Sequence, residues 1–66
     1  MNDKSKKDVA KMIRELRAKL GLTQEQFAAK VGVTFSTVNR WESGRSNPSP
    51  LAMRQIEDLW DGIQKD

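Results

Sequence analysis

The spacing of three glycines limits this chain more than any other feature. Gly21, Gly32 and Gly44 fall eleven and twelve residues apart, and each closes a segment with apolar residues at helical spacing. Glycine after a helix terminus adopts the left-handed backbone that ends it. Thr23 and Thr34 each stand two residues past a glycine, where a hydroxyl can cap the next helix. The intervals therefore hold only two short helices, joined by the tight turn Gly32-Val33-Thr34. No stretch alternates apolar and polar residues as a strand would, so the expected class is all-α.

Four helices follow from this punctuation. The first spans about Lys6 to Leu20, with Ser5 as N-cap and Asp8 three residues on, and with Val9, Ile13, Leu16 and Leu20 as its apolar stripe. The second follows Thr23, whose partner Gln26 completes a capping box, and it buries Phe27, Ala28 and Val31. The third follows Thr34, turns Val38 and Trp41 inward and ends at Gly44. Its outer positions are Phe35, Ser36, Thr37, Asn39, Arg40 and Ser43, a surface with one full charge and many hydrogen-bonding groups. After the loop Arg45-Ser46-Asn47-Pro48, Ser49 caps a fourth helix with Pro50 at its first position. Leu51, Ile56, Leu59 and Ile63 are its expected apolar face, and Gly62 is expected to fray or stop it. The domain is expected over residues 6–63, between a flexible basic tail, residues 1–5, and a flexible end, residues 64–66.

Composition removes several functions. The 66 residues include no cysteine and no histidine, which excludes a disulfide framework, a zinc finger and a Ser-His triad. No phosphate loop, metal-ligand cluster or nucleophile–base pair is present, so no catalytic residue, metal or cofactor is expected. Asp58 and Asp61 read as a solvated helix face. No apolar run approaches the roughly 20 residues of a membrane span, so a soluble, cytoplasmic protein is expected. The net charge of +3 is uneven. Residues 1–45 hold ten Lys/Arg against five Asp/Glu, and residues 46–66 hold two against four. The basic part suits a polyanionic partner, although a balance this modest also fits an ordinary solvated surface. Lys4, Lys6 and Lys7 either follow a groove or form a solvated end.

The segment LGLTQEQFAAKVGV, followed by STVNRWESGRSNPS, closely resembles the Cro/C1-type (Xre family) helix-turn-helix transcriptional regulators, over about residues 9–60. The resemblance implies a phage-repressor-like DNA-binding domain, with four helices or with a fifth reduced to the Trp60–Ile63 end. It implies sequence-specific binding of double-stranded DNA, with residues 35–43 as the recognition helix in the major groove. Base contacts are then expected from Thr34, Phe35, Ser36, Asn39 and Arg40. Phosphate contacts are expected from Thr23, Gln24, Thr37, Ser43, Arg45, Ser46 and Asn47. Glu42, ill-suited to DNA, is expected to pair with Arg17 as a structural clamp. In close phage relatives the glutamine at the position of Gln24 often braces a polar residue at the position of Phe35. Phenylalanine cannot take that part, so readout at Phe35 should be apolar.

The resemblance further implies a homodimer on DNA and repression, in a prokaryotic or phage setting with association to the nucleoid. The competing expectation is an antitoxin or protein-interaction module on the same fold. Leu59, Trp60 and Ile63 would then form an exposed patch for a protein partner, where otherwise they finish the core.

Overall fold

The computed structural model describes residues 6–64, with side chains from residue 8 onward. The expected tail 1–5, the Ser5 cap, the side chains of Lys4, Lys6 and Lys7, and the last two residues lie outside the described part. The described residues form four helices and no strand: α1 (Lys6–Leu20), α2 (Gln24–Val31), α3 (Phe35–Glu42) and α4 (Pro50–Gln64).

The two short helices are set by their ends. Thr23 has extended backbone, and its hydroxyl accepts from the Gln26 N–H at 3.1 Å. The Gln26 side-chain oxygen returns a bond from the Thr23 N–H at 2.9 Å, so two otherwise orphaned donors are satisfied. Thr34 caps α3 by accepting from the Thr37 N–H at 3.2 Å, and the two threonine hydroxyls lie 2.9 Å apart. Between them Gly32 takes φ +87°, and the Val33 N–H then reaches back to the Ala28 carbonyl at 2.9 Å. A side chain at that φ costs about 1 kcal/mol or more, so glycine holds the corner.

All four helices feed one core. Its fully buried large side chains are Ile13 and Leu16 of α1, Phe27 of α2, Val38 of α3 and Ile56 of α4. Each such burial stabilises by roughly 1.5–3 kcal/mol. Val9, Ala28, Val31, Trp41 and Ala52 complete the cluster. α3 packs against α1 and α2, and α4 packs against the same two helices.

α4 differs from the sequence expectation in two ways. Leu51 is 70% exposed and contributes nothing to the core. It lies five residues before Ile56, about 140° round the helix, whereas Ala52 and Met53 lie four and three residues before it and share its face. Gly62 does not stop the helix, which continues to Gln64. Glycine costs about 1 kcal/mol there relative to alanine, and the flanking Trp60 and Ile63 offset it by packing on the core. Leu59, Trp60 and Ile63 are all half-buried against that core.

Candidate nucleic-acid interface

α3 has two chemically different sides. Val38, Trp41 and Glu42 are buried, while Phe35, Ser36 and Arg40 are exposed and Asn39 is half-buried. Phe35 keeps 47% of its surface exposed, an unusual position for a phenylalanine in a domain this small. The described residues thus present an apolar ring, a hydroxyl, an amide and a guanidinium along one outward surface, with no carboxylate among them.

The inward side is clamped by charge. The Glu42 carboxylate, its side chain 6% exposed, accepts from Arg17 Nε at 2.8 Å and from Arg17 Nη2 at 3.1 Å. This fork-to-carboxylate geometry is the stronger form of ion pair. Arg17 also donates from Nη1 to the Leu22 carbonyl at 3.2 Å. The Glu42 hydrogen bond, followed by the attraction of its charge, raises the Arg17 pKa above the ordinary arginine value, against the opposing pull of desolvation. A carboxylate at the C-terminal end of a helix opposes the helix dipole. Arg14 offsets this by donating from Nη1 to the Glu42 backbone carbonyl at 2.6 Å, so α1 places two cations at the end of α3.

The cluster extends to the second helix. Gln24 donates from Nε2 to Glu42 Oε1 at 2.9 Å, and Asn39 Nδ2 lies 3.5 Å from Gln24 Oε1. Sequence reasoning treated Gln24 as a phosphate ligand and missed both contacts. The residues are 18 and 15 positions apart, and no local periodicity reports on such a pairing. The available signal was the resemblance noted above, which implies that a glutamine at this position often braces a side chain of the third helix. Here the brace goes to Asn39 in place of Phe35.

A family model described as helix-turn-helix matches residues 13–59, from the middle of α1 to near the end of α4. The chain belongs to the Cro/C1-type helix-turn-helix family of transcriptional regulators. An uncharacterized HTH-type transcriptional regulator of Archaeoglobus fulgidus is 57% identical across 73% of this chain and 80% of its own length. One of Methanothermobacter thermautotrophicus is 49% identical across 68% of this chain and 65% of its own. The regulatory protein cro of Pseudomonas phage D3 is 43% identical across 74% and 66%. No solved structure gives a significant match.

Within this helix-turn-helix frame, the structure places the remaining site residues expected from the sequence as three groups. Thr34, Phe35, Ser36 and Thr37 form the start of α3 beside the turn. Ser43, Arg45, Ser46 and Asn47 leave its other end: Arg45 Nε donates to Ser43 Oγ at 3.3 Å, and Ser43 Oγ donates to the Arg40 carbonyl at 3.1 Å. Thr23 begins α2 next to Gln24, where free backbone N–H groups favour an anion. Both α2 and α3 open with uncapped donors still available beyond those their threonines satisfy.

Proposed function

We propose that this domain binds double-stranded DNA sequence-specifically, with α3 in the major groove, and that it represses transcription as a homodimer on DNA. The observation that carries the reading is the outward surface of α3. Phe35, Ser36 and Arg40 stand exposed on a helix whose other side is fixed by Val38, Trp41 and the Arg17–Glu42 pair. A rigid helix with a hydrogen-bonding surface suits the groove, where each base pair shows its own donor and acceptor pattern.

In this reading Arg40 makes two hydrogen bonds to one guanine, Ser36 and Asn39 meet base edges, and Thr34 and Phe35 press on a thymine methyl. Thr23, Thr37, Ser43, Arg45, Ser46 and Asn47, with the backbone N–H of Gln24, hold phosphates and fix register. The basic balance of residues 1–45 favours approach to DNA. Two copies would meet half-sites about 34–36 Å apart, or a multiple of that. The place of action is the cytoplasm of a prokaryotic or phage-infected cell, on nucleoid DNA. Among the described residues no helix is long and apolar enough to cross a membrane. No catalytic step is assigned. An antitoxin or other protein-docking role would need the Leu59-Trp60-Ile63 surface, and those side chains are half spent on the core.

The test is fluorescence anisotropy on random-sequence duplex against salt. Affinity should fall steeply between about 50 and 200 mM salt, because bound phosphates release counterions. Absence of binding at low salt would overturn the reading.

A further inference from the structure

Glu42, Gln24 and Asn39 form a relay whose direction is fixed by chemistry. A carboxylate only accepts hydrogen bonds, so the atom 2.9 Å from Glu42 Oε1 is the Gln24 amide nitrogen. The Gln24 carbonyl oxygen therefore faces the third helix. Asn39 lies 3.5 Å from it, a long contact that a shift of a few tenths of an ångström would bring to ordinary hydrogen-bond length. An oxygen at that place accepts only from the Asn39 NH2 group. The flip of the Asn39 side chain is thus set by a buried charge on its own helix, through a side chain on another helix.

An unrestrained asparagine has a choice. It can turn its NH2 toward the acceptors of guanine or thymine, or its oxygen toward the amino groups of adenine or cytosine. A flip set by Gln24 removes that choice. One Asn39 N–H is spent on the relay, and the oxygen and the second N–H remain. An acceptor beside a donor matches the adenine edge, which shows a donor at N6 and an acceptor at N7. Guanine shows two acceptors and fits this arrangement poorly.

We infer that Glu42, acting through Gln24, locks the Asn39 amide in the orientation that selects adenine, which makes Gln24 a positioning residue for specificity. The inference rests on the proposed entry of α3 into the major groove. Asn39 is only half-buried, so the remaining oxygen and N–H have access to a ligand. Phe35, at the position usually braced, has no group that Gln24 could hold.

The experiment uses the full chain and an operator obtained by selection from random duplexes. The probes are that operator, the same operator with each adenine in turn replaced by 7-deazaadenine, and all single-base variants. The proteins are the wild type, Asn39→Ala, Gln24→Leu and the double variant, with folding checked by circular dichroism. One adenine should lose about tenfold in affinity when its N7 is removed. Asn39→Ala and Gln24→Leu should each flatten the preference at that base pair to within about threefold and leave the other positions unchanged. The double variant should be no flatter than either single one. A wild type with no adenine sensitive to the N7 replacement overturns the inference without any variant being needed. So does a Gln24→Leu protein that keeps full preference at the pair Asn39 reads, or one that loses affinity equally for every sequence. A wild type that binds no duplex at low salt would sink the groove-binding reading itself, a result distinct from all three.

Discussion

Removing Arg17 should hurt the fold more than removing Glu42, although the two share one ion pair. The Glu42 side chain is 6% exposed and that of Arg17 is 26% exposed. Arg17→Ala strands a carboxylate that water cannot reach, with only Gln24 left to donate to it. Breaking a buried pair in this way costs about 3–5 kcal/mol. It also frees the Leu22 carbonyl from its Arg17 bond. Glu42→Ala strands a guanidinium that can reach water and that keeps the Leu22 carbonyl as a partner, so the expected cost is nearer 2 kcal/mol. A domain below about 70 residues has only about 3–5 kcal/mol in hand. Arg17→Ala should therefore be largely unfolded at 25 °C, while Glu42→Ala should fold and melt some 8–16 °C lower than the parent.

Urea and thermal melts by circular dichroism measure both. Equal losses below about 1 kcal/mol would mean that the pair behaves as an exposed surface bridge. A larger loss for Glu42→Ala than for Arg17→Ala would refute the argument from burial. The pH dependence gives a second check. The Arg17 pKa is raised in the folded state, so its contribution is complete below the unfolded arginine value and fades only as pH climbs through the folded one. Because Glu42 raises that pKa, the gap in stability between parent and Glu42→Ala should stay flat from about pH 7 to pH 10.

Thr23→Ala should cost about 1 kcal/mol in a urea melt, because it removes the hydroxyl that satisfies the Gln26 N–H. Leu51→Ser should change stability by less than about 0.5 kcal/mol, since the leucine is 70% exposed; a loss of 2 kcal/mol would put it back in the core. Arg40→Ala should cost about 1–3 kcal/mol on a selected operator and relax preference at one base pair. Arg45→Ala should weaken all duplexes alike and lower the salt slope by about one, and equal losses on operator and random DNA for Arg40→Ala would give it the phosphate role.

The helix ends were legible because their signals are local. Thr23 with Gln26, Thr34, and the glycines at 21, 32 and 44 act within a few residues of themselves. The cores of α1, α2 and α3 were legible because their stripes keep helical spacing. α4 was less so. Its stripe is continued by Ala52 and Met53, of which alanine carries little hydrophobic signal, and the more apolar Leu51 stands beside them on the wrong face. The Arg17–Glu42 pair came from the family pattern, and its geometry is explicit in the structure. The bonds from Gln24 to Glu42, from Asn39 toward Gln24 and from Arg14 to the end of α3 depend on how the helices cross. Only tertiary structure sets that crossing.

The side chains of Phe35, Ser36 and Arg40 lie outside both the hydrophobic core and the polar cluster at Glu42. Exchanging them leaves untouched everything that keeps the molecule folded. Mutational drift at these three positions can therefore explore new target sequences at little risk to the scaffold. A library randomised at 35, 36 and 40 should consist mostly of proteins that melt like the parent, whatever DNA they prefer. Position 39 has no such licence, since its neighbours are already engaged.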